Sequence, residues 1–340
     1  MTPKRPTLKT ISEMSGFAVP TVSRALKDAP DIGAETKATV RRIAEEIGYV
    51  PNRAGVRLRT GRTMVISLVL STDHDVLDDH TNRLISTVAK SLRGTGYHMI
   101  VTPYVTGEDR LDPIRYIVET RSADAIITSQ IEPEDRRIAY MMERDFPFAT
   151  YGRTRWCREH PYFDFDNGAF GEIAARTLLE RGRRRLMLVS PPMGQSYAQH
   201  IVSGINKTLA EKGLELEILE GVTSHDTNER VRLALAERLA RTDVPDGIIA
   251  PSTTAAISAV AALEHRGLVL GDNIDVFAKE AAPFLRFFRR EVITVHEDVI
   301  EAGDFLARAA IRAIEQPDLP PMQALAVAHA PRPVDTLFGE

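Results

Sequence analysis

The chain has 340 residues, 43% hydrophobic and 26% charged, with a net charge of −4. That length holds two or three domains, and the apolar content suffices for packed cores, so disorder is not the default. A single cysteine, Cys157, excludes an internal disulfide framework and suits a reducing compartment. Lys4 and Arg5 are followed by no apolar stretch of the kind a secretory signal needs, and no run approaches the roughly 18–20 apolar residues of a membrane span. The expectation is a cytoplasmic protein without membrane contact.

At the amino end, apolar residues fall at Leu8, Ile11 and Met14, then at Val22 and Leu26 after a turn at Gly16. A third run places Val40, Ile43, Ala44 and Ile47 at i, i+3, i+4 and i+7, one buried helical face. Three short helices with a glycine turn between the first two predict a helix-turn-helix headpiece over residues 1–50, a unit that places its second helix in a DNA major groove. Charge agrees locally. Residues 1–62 hold 12 Lys+Arg against 6 Asp+Glu, whereas the remainder holds 31 against 41. A basic module on an acidic body is expected when one end meets phosphate.

Residues 51–62 form a basic link with Pro51, Gly55, Gly61 and four arginines at 53, 57, 59 and 62. As a free peptide it is too short for a stable helix, so it reads either as a tether or as a segment that folds against DNA.

From Thr63 the pattern alternates. Apolar runs at 64–70, 97–104 and 123–129 read as buried parallel strands, separated by helices at 82–93, 111–119 and 133–144. Further strands at 185–191, 216–219, 247–252 and 274–278 alternate with helices at 169–180, 201–212, 229–240 and 254–265. Two such series predict an α/β body, residues 63–340, made of two doubly wound lobes with a ligand cleft between them. Lobe one is expected at about 63–160 and 292–320, and lobe two at about 161–291 and 321–340.

An enzyme needs a catalytic constellation, and none is read: there is no GxSxG, no Walker loop, no HExxH and no CxxC pair. Gly94-Thr95-Gly96 follows a helix and lacks the third glycine of a dinucleotide fingerprint. The nine histidines show no metal-ligand spacing, so neither metal nor cofactor is expected; His296-Glu297-Asp298 reads as a strand end. The cluster Arg181 to Arg185 reads either as a phosphate site or as a solvated connection.

Several motifs in order carry a resemblance: TLKTISEMSGF, TVSRAL and IGYVPNRAG in the headpiece, then YFDFDNGAFG, LLERGRRRLMLVSPP and ITVHEDVIEAG in the body. The chain resembles the LacI/GalR family of bacterial transcription regulators over essentially its whole length. The resemblance implies a homodimer placing two headpieces on a pseudo-palindromic double-stranded operator. By motif position, Val19, Pro20 and Arg24 face base edges, with Arg24 suited to a bidentate contact to guanine. Thr7, Thr21, Ser23 and Thr36 match positions that touch phosphates. Asn52 and Arg53 begin a hinge helix, and Leu58 falls where the family places a minor-groove wedge; the plainer reading of Leu58 is a contact between link and body. No leucine heptads follow Pro317, so a dimer is expected.

Family members bind a small effector between the lobes, most often a sugar or nucleobase. Arg153 and Asp166, at strand-to-loop exits, are suited to grip vicinal hydroxyls. Phe163, Phe165 and Phe170 either face a sugar ring or belong to the core. Three positions depart from the family pattern. Ile201, beside His200, stands where an arginine is common; Ser252 replaces an acid; and Ala278-Lys279-Glu280 replaces a glycine–aromatic–aspartate segment. Lys279 either meets an anionic sugar derivative or pairs with Glu280. The sequence thus predicts a DNA-binding regulator, read as a repressor, under control of a carbohydrate or carbohydrate derivative. The alternatives are a non-sugar effector such as a nucleobase, a sugar-binding receptor, and an effector-independent DNA-binding protein.

Overall fold

The structure is a computed structural model that describes residues 6–49, 57, 61–71, 79–105 and 107–331. The chain divides into two compact units, residues 1–63 and 64–340.

In the first unit, helix α1 (Leu8–Ser15) starts at Thr7, whose hydroxyl accepts the Thr10 N–H while the Thr10 hydroxyl accepts the Thr7 N–H. This reciprocal cap satisfies two donors that a helix start leaves open. Gly16 ends α1 at φ 75°, a left-handed turn that glycine adopts without the Cβ penalty, and its N–H bonds Ser12 O. Helix α2 (Val19–Leu26) follows with Pro20 in its first turn, where the missing N–H costs nothing. Helix α3 (Ala34–Glu46) completes the unit. Ile11, Val22, Ala25, Val40, Ile43 and Ala44 bury together, and Leu8, Phe17, Leu26, Ile32, Ile47 and Tyr49 pack around them.

The second unit holds two parallel sheets. Strands β1 (Val65–Ser71), β2 (His98–Tyr104), β3 (Ala125–Thr128), β4 (Phe148–Tyr151), β5 (Tyr162–Phe165) and β11 (Gln323–Ala326) form the first, in the order β11-β5-β4-β3-β1-β2. Strands β6 (Leu186–Leu188), β7 (Leu216–Ile218), β8 (Gly247–Ala250), β9 (Asp275–Glu280) and β10 (Ile293–His296) form the second, in the order β10-β9-β8-β6-β7. Strand β1 shows why both faces are covered: Ile66, Leu68 and Leu70 enter one core, while Val65 and Val69 enter another. Helices α4 (Asp79–Ser91) and α12 (Val299–Glu315) cover the first face, and α5 (Asp112–Thr120) and α6 (Arg136–Met142) the other. The second sheet lies between α7 (Asn167–Glu180) and α8 (Ser196–Ala210) on one side and α9 (Asn228–Arg238) and α10 (Thr253–His265) on the other. A short α11 (Leu285–Phe288) precedes β10.

The lobes are not divided where the sequence placed them. Strand β5 pairs with β4 and with β11, so both belong to the first sheet, while β10 pairs with β9 in the second. Strands β5, β10 and β11 have four residues each, and β5 and β11 are too weakly patterned to be read alone. Strand β4, the strand that Arg153 was expected to leave, is the buried run Phe148–Tyr151. Helix α8 also starts five residues before its expected first turn, at Ser196.

Helices α7 and α8 approach at backbone distance. A methyl on Gly204 would overlap Gly168 O, and one on Gly171 would overlap Ile201 O. Ile201, at the position expected to hold an arginine, is fully buried in this seam. The close crossing fixes the amino ends of α7 and α8, both of which reach the cleft.

Candidate nucleic-acid interface and ligand cleft

Helix α2 sorts its residues by face. Val22 and Ala25 are buried, whereas Val19, Pro20 and Arg24 are exposed and Thr21 and Ser23 half-buried. The residues expected to meet DNA therefore share the outer side of one helix. Arg24 forms an ion pair with Asp31, both side chains about half exposed. An exposed pair of this kind contributes about 0–1 kcal/mol, so exchanging it for a base edge costs little. Thr36 lies in the first turn of α3, and the Thr7 hydroxyl already serves the α1 cap. Asn52, Arg53 and Leu58 lie outside the described residues, so the hinge expectation stands as read from sequence.

Where the two sheets of the body present their carboxyl ends, a cavity of about 180 Å³ opens. The first lobe contributes Ser71, Gln130, Tyr151 and Asp164, together with Asp79 and His80 from α4. The second contributes Asn167, Ser196, Tyr197, His225, Thr253 and Lys279, and Glu297 follows β10. Strand ends are where an open α/β sheet leaves room for a ligand, because loops there need not pack against the next helix.

The charged groups of the cleft are already in contact. Lys279 Nζ lies 2.7 Å from Glu297 Oε2 and donates to Asn167 Oδ1 at 3.0 Å. Glu297 Oε1 accepts from the Tyr151 hydroxyl at 2.7 Å, and His80 Nε2 is 3.9 Å from the same oxygen. The His80 ring stacks on Tyr151 at 5.1 Å. Burial alone would raise the Glu297 carboxyl, but Lys279, His80 and Tyr151 outweigh it and hold it below its ordinary range. Asp164, bound to Arg153 Nε at 2.7 Å, shows the reverse balance: burial pushes its carboxyl up to about 6 despite the guanidinium.

The sequence expectations are sorted by this geometry. Ser252, Lys279 and Glu280 line the cleft. Ser252 also caps α10 through the Ala255 N–H, and Glu280 accepts the Leu285 N–H. Lys279 pairs with Glu297 and not with Glu280. Phe163, Phe165 and Phe170 are core residues at 2% exposure or less and offer no face to a sugar; Phe165 and Phe170 instead lie beneath Lys279 Nζ at 5.0 and 5.9 Å. Asp166 caps α7 through the Ala169 N–H and lines a separate depression along that helix. Arg153 and His200 are not among the residues that line the cleft, and Arg153 reaches it only through Asp164; burial and Arg153 lower the His200 imidazole, and its Nδ1 is buried without a hydrogen-bond partner. Of the arginine cluster, Arg181 and Arg183 are held by the buried Asp275, a structural contact rather than a phosphate site. Asp164, Tyr151, Asn167, Ser196, Thr253 and Glu297 were missed. Taking the residue after every strand as a candidate would have reached Glu297, while Asp164 is hidden inside β5.

A helix-turn-helix unit joined to two parallel α/β lobes defines the class, a DNA-binding transcription regulator on a periplasmic-binding-protein-like body. Residues 7–52 match the family described as bacterial regulatory proteins, lacI family, and residues 65–308 match periplasmic binding proteins and the sugar binding domain of the LacI family. The chain belongs to the LacI family, whose members regulate transcription and are not enzymes. It is 31% identical to the HTH-type transcriptional regulator AglR of Rhizobium meliloti over 322 residues, 92% of this chain and 89% of that protein. It is also 31% identical to RafR of Escherichia coli over 266 residues, 78% of each chain. Among solved structures, the lac repressor dimer bound to operator and the anti-inducer ONPF aligns with TM-score 0.82 at 17% identity, covering 97% of this chain and 98% of that one. The complex of transcriptional regulator CelR with cellobiose aligns at 0.68 and 20%, covering 96% and 98%. Among the described residues, no helix is long and apolar enough to cross a membrane.

Proposed function

We propose that this regulator is a cytoplasmic repressor that binds a two-fold operator as a homodimer and changes its DNA affinity when a carbohydrate occupies the cleft. The observation that carries the reading is the supply of hydrogen-bonding groups inside the cleft. The Ser196 and Thr253 hydroxyls are buried there, and both oxygens lack a hydrogen-bond partner. A buried hydroxyl without a partner costs stability, and a ligand rich in hydroxyls supplies the missing bonds. Asp164 and Glu297 add carboxylate acceptors, and Tyr197 adds an aromatic face. CelR bound to cellobiose and the lac repressor bound to operator support the reading by likeness of fold. Arg24, with Val19 and Pro20, would read bases, while Thr7, Thr21, Ser23 and Thr36 would hold phosphates.

Thermal unfolding with a panel of monosaccharides, disaccharides and nucleobases tests the effector reading. A sugar present at 100 times its Kd should stabilise the body by about 2.7 kcal/mol. Stabilisation by nucleobases alone would move the effector to another class. No response to any compound, with DNA binding intact, would favour an effector-independent DNA-binding protein.

A further inference from the structure

We infer that Lys279 is the internal counterion of Glu297, and that the cleft therefore selects an uncharged polyhydroxylated ligand over sugar acids and sugar phosphates. The inference rests on the carbohydrate reading above and narrows it to one charge class.

The ammonium of Lys279 has three N–H donors. One meets Glu297 Oε2 at 2.7 Å and one Asn167 Oδ1 at 3.0 Å. Around it stand the rings of Phe165, Tyr197 and Phe170 at 5.0, 5.7 and 5.9 Å. Carboxylate, amide and aromatic faces thus enclose a side chain that is 10% exposed. Such a lysine is a poor anion receptor, because an incoming phosphate or carboxylate would have to displace Glu297 from a buried pair. Removing one partner of a buried pair leaves an uncompensated charge, which is far costlier than losing both.

The rest of the lining points the same way. Among the described residues that line the cleft, the acids are Asp79, Asp164, Asp226, Glu280 and Glu297, while Lys279 supplies a formal cation and His80 and His225 stand beside it. The guanidiniums nearest these acids are also in contact with them: Arg153 binds Asp164, and Arg230 binds Asp226. Among the described residues of this lining, the one ammonium an anion could meet is already paired with a carboxylate. A neutral ligand instead finds the remaining lone pairs of Glu297 and Asp164, in a lining that also holds Ser196 and Thr253, whose buried oxygens lack a hydrogen-bond partner. Lys279 is thus a positioning residue: it keeps Glu297 ionised as a hydroxyl acceptor, with Tyr151 fixing the second oxygen.

The test uses the full-length chain. Glucose, galactose and cellobiose are each titrated beside their carboxylate and phosphate derivatives, and inorganic phosphate is titrated at matched ionic strength. In the wild type, the neutral member of a responding set should bind at least about tenfold more tightly than its anions, and phosphate should give no stabilisation beyond that of sodium chloride. Glu297→Gln exposes the lysine charge, so it should gain stabilisation by phosphate and shift selectivity toward anions by about tenfold or more. Lys279→Met should lower the melting temperature by roughly 5–10 °C, and adding Glu297→Gln should recover much of that loss while restoring indifference to phosphate. The inference is overturned if an anionic member binds more tightly to the wild type, if phosphate stabilises the wild type and Lys279→Met abolishes the effect, or if Glu297→Gln gains nothing. A silent sugar panel would instead overturn the carbohydrate reading, and the phosphate and double-variant measurements would still decide the role of Lys279.

Discussion

The headpiece and the cleft present their proposed functional groups in opposite ways. On α2 the working side chains stand outside a small core, and the one ion pair among them, Arg24 with Asp31, is exposed. In the cleft Tyr151, Asn167, Lys279 and Glu297 are themselves buried and bound to each other, with the half-exposed His80 stacked on Tyr151. The first arrangement lets residues change singly at little cost to folding, which suits a surface that must match one DNA sequence. The second couples stability to specificity, so single changes there are expected to act non-additively. Three measurements can break or sharpen this contrast.

The largest effect should come from the headpiece core. Ile11 is fully buried at the centre of a unit with few other large apolar residues. Ile11→Ala should cost about 2–5 kcal/mol, enough to unfold a module of this size. Differential scanning calorimetry should show the headpiece transition lost and the body transition unmoved, with DNA binding abolished and ligand binding kept. A body transition that moved with it would mean the two regions fold as one.

Next is the titration of Asp164. Its folded carboxyl titrates at about 6 against an ordinary 3.8, so between these values the folded state holds more protons than the unfolded one. The contribution of Asp164 to stability therefore falls as pH rises through that window, by about 3 kcal/mol in all. Asp164→Asn removes this decline, so the stability of the variant relative to wild type should climb from pH 4 to 6 and then level off. Leaving Arg153 without its partner adds an offset that does not alter the slope. Parallel denaturant curves across that range would show that burial does not govern this group.

The smallest effect on folding should come from Arg24→Ala, within about 0.5 kcal/mol of wild-type stability. Its operator affinity should nonetheless fall by about 1–3 kcal/mol, while binding to random DNA falls far less. Equal losses on both DNAs in a gel-shift series would reassign Arg24 to the phosphates.

The same contrast explains what could be read from sequence. The headpiece is local: its glycine turn and its i, i+3, i+4 spacing fall within 50 consecutive residues, so its three helices were legible, although the Thr7 cap of α1 was not read. In the body, the continuous apolar runs around β1, β3 and β8 stood out, whereas β4, Phe-Ala-Thr-Tyr, mixes hydroxyls into its buried run and β11 alternates exposed with half-buried residues. Strand β5 alternates phenylalanine with aspartate, so Asp166 was visible as the residue leaving it, yet that carboxylate caps α7 and Asp164 faces the cleft. The central network joins Tyr151, Asn167, Lys279 and Glu297, which sheet order brings together from separate stretches of chain. No periodicity reveals such a pairing. A lysine next to a glutamate in sequence suggested the wrong partner, because adjacent residues of a strand point to opposite faces.

The central claim is that the cleft and the DNA-reading helix belong to one regulatory device. It is tested most directly by titrating the stabilising sugar against the full-length protein with and without a saturating operator selected from random DNA. Linkage requires that a ligand which alters DNA affinity has its own affinity altered by the same factor. The sugar's affinity should change about 5–150-fold between the two titrations, equal to the change in DNA affinity measured with and without sugar. Identical sugar affinities in the presence and absence of operator would contradict it.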